Sequence, residues 1–383
     1  MFRLRLVPPL ALIFWATSAG MGASSSAATP DTGSPWLMGY VVGYERDLLP
    51  QAELDWSALT HVAVGRVTPQ ADGTLNTTFD IDPVGGPAWA RAVVRQAHAH
   101  HVKALLMVGG QGEQAGFVGS ASAPRQGRFV RNLLAIVRSY GFDGLDLDWE
   151  PLTRADEAPL KALALSLKRQ QPGLVLTLPV NFVNANDPTA EARPSLAALS
   201  GTFDRVNIMT YGMAGVYDGW QSWHSSALTG ASDTTPSSVQ SSVQAYLKAG
   251  VPAGKLGLGI GFYGLCYQGV TAPAQRAVGM KIVADDGEMS YVNIMSRYFN
   301  PPARRWDTRA GAPYLTSSTP LGRQRCTYLS YEDARSIALK GQYARRLGLG
   351  GAVIWTLAQG HFQGRPAGRA DPLLTAAHAA FRP

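Results

Sequence analysis

Eight short segments predicted as strands alternate with helical or irregular stretches along this chain, and this alternation is what most restricts its fold. The predicted strands are Met38–Tyr44, His61–Val67, Lys103–Gly109, Gly141–Trp149, Leu174–Val180, Arg205–Tyr211, Leu256–Phe262 and Gly351–Trp355. Between the third and fourth of them, Arg125–Tyr140 carries apolar residues at helical spacing. Eight such units favour the α/β class and a closed (β/α)8 barrel, the TIM-barrel fold, whose sites lie at the carboxyl ends of the strands.

Capping chemistry predicts where two of the later helices begin. Thr235-Pro236 is expected to open a helix, because proline is favoured at the first helical position. Ser330 is expected to cap the next helix, with Asp333 three residues on in a capping-box position. Gly348 is expected to end that second helix.

Four carboxylates fall within residues 143–150, and three of them share one face of a predicted strand. Asp146, Asp148 and Glu150 alternate with apolar residues, so their side chains point the same way at a spacing of roughly 6.6–6.8 Å. Like charges so close together, and partly buried, resist ionising together. At least one of the three should therefore hold a proton near neutral pH, as general acid–base catalysis requires.

Two other interpretations of this acidic row are weaker. A solvated strand face does not need the leucines and the tryptophan that occupy the other side of the strand. A calcium site usually takes its ligands from a loop with glycine and asparagine turns. We therefore predict no metal ion and no other cofactor. Asp143 falls on the opposite face, and we assign it a structural role at the start of the strand.

The pattern Asp143-x-x-Asp146-x-Asp148-x-Glu150 resembles the DxxDxDxE signature of glycoside hydrolase family 18, the chitinases and their relatives. Other segments agree in order along the chain. Gly109-Gly110 follows a predicted strand, residues 206–211 resemble the MxY strand of the family, and residues 350–355 resemble its last strand. The resemblance covers roughly residues 36 to 360.

The resemblance implies a secreted enzyme that cleaves β-1,4 linkages of N-acetylglucosamine polymers or oligomers, such as chitin, with retention of configuration. In this family the 2-acetamido group of the substrate acts as nucleophile and forms an oxazolinium ion. Glu150 is then the general acid and base, and Asp148 accepts the acetamido N–H and offsets the positive charge. Asp146 lies behind it and shares or holds a proton. Tyr211 donates its hydroxyl to the acetamido carbonyl.

The substrate-binding residues implied by the same resemblance surround this catalytic set. Trp355 is expected to form the floor under the reacting sugar, where an aromatic face suits the C–H surface of the ring. Tyr217 and Trp220 lie in an aromatic tract that suits a sugar-stacking loop. The full set of predicted substrate-binding residues is Trp355, Met209, Tyr40, Tyr217 and Trp220.

Two positions depart from the family pattern. Gly212 stands where the family has an aspartate after the tyrosine, and Met107 replaces the serine of an SxGG pattern. These departures bear on substrate preference and efficiency more than on reaction type. Two other functions stay open, an endo-β-N-acetylglucosaminidase that acts on N-glycan cores and a non-catalytic lectin that binds chitin oligomers. The presence of Glu150 favours an enzyme.

One connection is too long for a simple barrel loop. Roughly 65 residues separate the seventh strand from Ser330, and they include a predicted turn at residues 285–287. They resemble the small α+β insertion that forms one wall of the groove in many chitinases, here residues 264–329, between strand 7 and helix 7. Cys266 and Cys326 lie near its two ends and form a candidate disulfide, the alternative being two buried thiols.

The ends of the chain and its composition complete the prediction. Residues 1–28 read as a secretion signal, with Arg3 and Arg5 before a short apolar stretch, and residues 29–383 as the catalytic domain. No later apolar run is long enough to span a bilayer, so we expect an extracellular or periplasmic protein without a membrane segment. The formal charge of +7 carries no run of Lys or Arg, which disfavours nucleic acid as a partner. We expect a monomer.

Overall fold

The computed structural model describes residues 35–366 and 368–382, in which two sheets are formed. The predicted secretion signal lies outside these residues. In chain order the strands are β1 (Trp36–Val42), β2 (His61–Pro69), β3 (Leu75–Asn76), β4 (Lys103–Gly110), β5 (Gly144–Trp149), β6 (Val175–Asn181), β7 (Arg205–Met209), β8 (Leu256–Gly261), β9 (Leu265–Gln268), β10 (Lys281–Ala284), β11 (Arg304–Asp307), β12 (Ala312–Leu321), β13 (Cys326–Ser330) and β14 (Gly351–Trp355). The helices are α1 (Gly85–Ala99), α2 (Gln114–Ser120), α3 (Ala123–Tyr140), α4 (Glu157–Gln170), α5 (Pro194–Ala197), α6 (Val239–Ala249), α7 (Tyr291–Asn293), α8 (Ala334–Leu347) and α9 (Pro372–Phe381).

Eight parallel strands close into a barrel. Their order is β1-β14-β8-β7-β6-β5-β4-β2, and β1 also pairs with β2, which completes the ring. All eight predicted strands are confirmed, with ends that shift by at most three residues. The (β/α)8 fold predicted from their alternation with helices is therefore correct. Within the described residues, no helix is both long and apolar enough to cross a membrane.

Apolar side chains fill two layers around these strands. The outer layer lies between strands and helices, and α3 contributes Phe129, Leu133 and Val137, which helical spacing places on one buried face. Gly141 ends this helix at a φ of +83°, where glycine avoids the strain of a Cβ. The inner layer, inside the barrel, is a smaller cluster of Met38, Tyr40, Val42, Ala63, Leu105, Met107 and Val353.

Both predicted helix starts are wrong, although the cap that ends the second helix is right. Helix α6 begins at Val239 after Ser238, whose Oγ accepts from the backbone N–H of Ser241 at 3.0 Å. Residues 235–236 stay outside the helix, because the carbonyl of Pro236 accepts from the N–H of Ala185 at 2.7 Å.

Helix α8 begins after Asp333, whose carboxylate accepts from the N–H of Ser336 at 2.9 Å. Ser330 instead ends strand β13, where it pairs with Leu265 of β9. Gly348 does end α8, in the left-handed conformation with a φ of +63°.

The long connection forms a five-stranded antiparallel sheet in the order β10-β9-β13-β12-β11. We call this sheet and its connecting segments the insertion. Cys266 of β9 and Cys326 of β13 form a disulfide with a Cα–Cα distance of 5.3 Å. The bond between the two cysteines is therefore confirmed. It lies in the apolar core of the insertion, where both cysteines are fully buried.

Reduction of this disulfide should loosen the insertion before the barrel. The bond joins positions 60 residues apart, and the chain-entropy model gives an upper value of roughly 4 kcal/mol for a loop of that length. Hydrogen exchange of the protein with and without reductant should show faster exchange in β9–β13 and little change in β4–β6. A Cys266→Ala/Cys326→Ala variant, insensitive to reductant, is the control. Equal acceleration in both sheets would contradict this expectation.

Candidate active site

Strand β5 carries the acidic row into the interior of the barrel. Its neighbours fix the register, with Met107 of β4 opposite Asp146 and Gly109 opposite Asp148. Asp146 is fully buried and Asp148 is 3% exposed, whereas Glu150 follows the strand end and is half-buried. The row therefore runs from the closed interior to the carboxyl end of the barrel, as alternation along a strand predicts.

Asp146 is held by hydroxyl groups from two other strands. Its Oδ2 accepts from the Tyr40 hydroxyl of β1 at 2.7 Å, and its Oδ1 accepts from the Thr177 hydroxyl of β6. Burial raises the pKa of Asp146 to about 6, and these two hydrogen bonds oppose the rise. With this pKa, the carboxyl of Asp146 can gain or lose a proton close to neutral pH.

Asp148 has the least favourable position for a negative charge. Burial, followed by the charges of Glu150 and Asp146 and a hydrogen bond to Glu150, raises the pKa of Asp148 well above its usual range. Burial also raises the pKa of Glu150, while the hydrogen bond to Asp148 lowers it. Burial and like charge therefore favour one shared proton over two ionised carboxylates in this pair, which borders the cavity.

A cavity of about 580 Å³ opens above this row. Asp148 and Glu150 line it together with side chains from the ends of several other strands. The predicted residues that share this lining are Tyr211, Met209 and Trp355. Because strand ends converge at one rim of a parallel barrel, residues far apart in sequence meet here.

Trp355 is fixed by a residue that the sequence placed only in a turn. Its Nε1–H donates to Asp286 Oδ1 at 3.1 Å, and the Gln359 amide donates to the same oxygen at 2.8 Å. Burial raises the pKa of Asp286. Asp286 belongs to the insertion, so this part of the chain supplies a carboxylate to the cavity as well as a wall.

Tyr211 and Tyr263 form an aromatic corner of the cavity. Their rings meet edge to face with centroids 6.0 Å apart, and both line the cavity. Burial raises the pKa of Tyr211 well above its usual range, so its hydroxyl keeps its proton and can donate. A Cβ on Gly212 would lie 3.0 Å from the Tyr263 hydroxyl. Tyr263 therefore borders the space that a side chain at position 212 would enter.

Three predicted substrate-binding residues lie outside the lining of this cavity. Tyr40 is 2% exposed, and its hydroxyl is engaged by Asp146, so it lies behind the acidic row. Tyr217 and Trp220 form an edge-to-face pair with centroids 4.9 Å apart in the loop after β7. Tyr217 is 62% exposed. Tyr40 is therefore packed against the acidic row, whereas Tyr217 and Trp220 lie in a loop away from the cavity lining.

Asp143 occupies a structural position on the far side of β5. Its Oδ2 accepts from the Ala104 N–H at 2.8 Å and from His98 Nε2 at 2.9 Å. It thereby ties the start of β5 to β4 and to helix α1. The described residues contain no group of three or more His, Cys, Asp or Glu side chains arranged to hold a metal ion.

Comparison with known proteins identifies the family. The sequence model of a protein family, Glycosyl hydrolases family 18, matches residues 37–360 of this chain. The chain belongs to glycosyl hydrolase family 18. The resemblance noted from the DxxDxDxE pattern is thereby confirmed.

Members and structural neighbours of family 18 cover nearly all of the chain. Probable chitinase 2 of Drosophila melanogaster is 26% identical, over 93% of this chain and 78% of the relative. A chitinase-like effector of Moniliophthora perniciosa is 24% identical, over 89% and 88%. The crystal structure of Ostrinia furnacalis Group IV chitinase in complex with allosamidin has a TM-score of 0.75 at 24% identity, over 90% and 98%. The first supports a chitinase-type glycosidase, and the third shows the shared fold.

Two residues of this family 18 site were missed from the sequence, for different reasons. Tyr263 follows β8 by two residues, and its place after a strand end was a usable signal. Asp286 gave no such signal, because only the fold of the insertion brings it against Trp355.

Removing the innermost carboxyl should change how stability depends on pH. The folded state raises the pKa of Asp146 from 3.8 to about 6, so the folded protein binds more protons than the unfolded chain in that interval. Stability of the wild type should therefore fall as pH rises from about 4 to 6. In Asp146→Asn this part of the fall should disappear. Thermal melting across that range, with exposed Asp233→Asn as control, measures it, and parallel curves for wild type and Asp146→Asn would contradict the expectation.

Proposed function

We propose that this family 18 protein is a hydrolase that cleaves β-1,4 linkages next to N-acetylglucosamine in chitin or its oligomers. The observation that supports this most is the pair of buried Asp148 and half-buried Glu150 in the cavity lining, where burial raises the pKa of both carboxyls. A carboxyl that keeps a proton at neutral pH is suited to protonate a leaving glycosidic oxygen.

Glu150 is the proposed general acid and then the general base. It is the member of the row nearest the mouth, half-buried and in the lining of the cavity. In the first step its proton passes to the glycosidic oxygen as the bond to the anomeric carbon breaks. In the second step the same carboxylate takes a proton from the attacking water, which restores the acid.

The nucleophile in this proposal is the acetamido carbonyl oxygen of the substrate itself. Asp286 is another carboxylate of the cavity lining, and its Oδ1 accepts hydrogen bonds from Trp355 Nε1–H and the Gln359 amide. These hydrogen bonds suit Asp286 to holding Trp355 in position. Asp148 would accept the acetamido N–H and offset the charge of the oxazolinium ion, and the Tyr211 hydroxyl would donate to the acetamido carbonyl. Asp148 Oδ1 is buried without a partner among the described residues, which leaves it an acceptor to offer.

Export from the cell belongs to the same proposal. A disulfide is retained in oxidising compartments, and the Cys266–Cys326 bond fits a secreted protein. A secretion signal over residues 1–28, an extracellular or periplasmic location and a monomeric state stay predictions. Mass spectrometry of protein from the culture medium of an expressing cell tests the cleavage, with loss of the first 28 residues expected.

A second candidate function is binding of chitin oligomers without hydrolysis. It is favoured by one observation, that a relative of similar length is a chitinase-like effector. Glu150, with its raised pKa, argues for the enzyme. Product analysis on chitin oligomers and, in parallel, on a high-mannose glycopeptide separates the candidates. Cleaved oligomers and an intact glycopeptide support our proposal, whereas cleavage of the glycopeptide alone would indicate an N-glycan endoglycosidase.

Glu150→Gln should fold normally and lose nearly all hydrolysis. The amide keeps the shape of the side chain but carries no acidic proton, and both chemical steps depend on that proton. Loss of general acid–base catalysis costs about 10²–10⁴-fold. Initial rates on a chitin oligomer measure the effect, with Glu113→Gln as the matched control outside the cavity lining. A rate within about threefold of wild type would refute the role of Glu150.

Cleavage should require an N-acetyl group on the reacting sugar. A fully deacetylated oligomer lacks the acetamido oxygen, so no oxazolinium ion forms, and it should inhibit weakly without being cleaved. Asp148→Asn should also be severely impaired, because the cationic intermediate loses its counter-charge. Chromatography of the products from acetylated and deacetylated oligomers tests this dependence. Efficient cleavage of the deacetylated oligomer would rule the mechanism out.

A further inference from the structure

A fully buried lysine lies between helix α8 and the loop after β7 (residues 210–238). Lys340 of α8 is 0% exposed, and its Nζ donates to Glu332 Oε1 and, at 2.6 Å, to Ser226 Oγ. Neither member of the Lys340–Glu332 ion pair lines the cavity. Lysine is rarely buried unless it is paired, and a buried ion pair adds little net stability because the cost of desolvation offsets the attraction. The consequence of this pair therefore lies in the group that it holds.

Ser226 connects the lysine to the end of strand β7. Its hydroxyl accepts from Lys340 and donates to the carbonyl oxygen of Thr210 at 2.5 Å. A serine hydroxyl has a single hydrogen to donate, so a donor from the lysine leaves that hydrogen for Thr210. The Thr210 hydroxyl in turn donates to the carbonyl of Gly259 in β8 at 2.7 Å. The residue that precedes Tyr211 is thus fixed from two sides.

The backbone on the other side of Tyr211 is held by the neighbouring serine. The N–H of Gly212 donates to Ser225 Oγ at 3.2 Å. The N–H of Ser225 donates to Ser330 Oγ, at the end of β13, at 2.9 Å. Two adjacent serines therefore hold the backbone before and after Tyr211, one anchored by helix α8 and the other by the insertion.

This backbone determines where the Tyr211 hydroxyl points. The ring of Tyr211 meets Tyr263 edge to face and lines the cavity. Because the hydroxyl lies at the far end of a rigid ring, a small rotation of the backbone moves it by a larger distance. Misplacement of a reacting group by about 1 Å can cost about 10²-fold in rate. A change at Ser226 or Lys340 can therefore reach the chemistry without touching the substrate.

We propose that Lys340 is a positioning residue, which aims the Tyr211 hydroxyl at the acetamido carbonyl of the substrate through Ser226 and the Thr210 carbonyl. This rests on the proposed function, because that function supplies the acetamido group. Glu332 holds the lysine Nζ in place beside Ser226. Helix α8 thereby contributes to catalysis although its ion pair lies outside the cavity.

Two variants remove the support in different ways. Ser226→Ala deletes the donor to Thr210, and Lys340→Met/Glu332→Leu replaces the ion pair with apolar side chains, an exchange that proteins often tolerate. Each should lower kcat on a chitin oligomer by about tenfold, or about 1.4 kcal/mol, with KM within about twofold of wild type. Ser222→Ala is the matched control, a buried serine of the same loop whose hydroxyl donates to the Ala272 carbonyl at 2.7 Å. It should keep kcat within about twofold.

A double-mutant cycle with Tyr211→Phe separates positioning from general damage. If Ser226 acts through the Tyr211 hydroxyl, Ser226→Ala should lower the residual kcat of Tyr211→Phe by less than about twofold. A tenfold loss that persists in the Tyr211→Phe background would overturn the proposal, because it would show an effect independent of the hydroxyl. An unchanged kcat in both Ser226→Ala and the ion-pair variant would also overturn it.

Hydrogen exchange tests the support of Tyr211 without any need for activity. The Gly212 N–H should exchange faster in Ser226→Ala than in Ser222→Ala, because release of the Thr210 carbonyl loosens the backbone on both sides of Tyr211. Equal exchange in the two variants would overturn the positioning role, whether or not the wild type cleaves oligomers. Faster exchange in a protein whose wild type cleaves no oligomer would overturn the proposed hydrolysis and leave the positioning of Tyr211.

Discussion

The burial of three like-charged carboxyl groups on one strand is the constraint on which the rest of this structure depends. A closed barrel is one of few arrangements that surrounds a strand on both sides and still leaves its carboxyl end open. Tyr40 and Thr177 reach Asp146 from two other strands, so the register of the barrel and the protonation of the row are set together. On the solvent-facing side of an open sheet such a row would be hydrated, and its pKa values would stay ordinary.

The sequence predicted the barrel and the row because both depend on local periods. Alternation along residues 143–150 defines the buried face without knowledge of any other segment. Helix starts were less predictable, since several serines and aspartates compete to cap each helix. Ser330 does not cap the helix, because its pairing with Leu265 extends β13 through this residue. Pairing between distant strands cannot be recognised from the few residues around Ser330.

The residues missed at the site are those that long-range packing places. Asp286 belongs to a segment whose local pattern indicates only a turn, and its contact with Trp355 joins positions 69 residues apart. Tyr40 shows the converse, because its position on a strand suggests the cavity while its hydrogen bond holds it behind the row. Sequence patterns therefore identify which faces are buried, but not which distant groups share a hydrogen bond.

The insertion contributes Asp286 to the support of Trp355 and is closed by its own disulfide. The insertion is thus a separate module of the fold that also helps to orient a side chain of the barrel cavity. Recombination that exchanged this module between relatives would exchange the orientation of the tryptophan along with the outer wall of the groove. Substitutions in the insertion and in the last barrel strand are therefore expected to be correlated, and the two segments are best exchanged together.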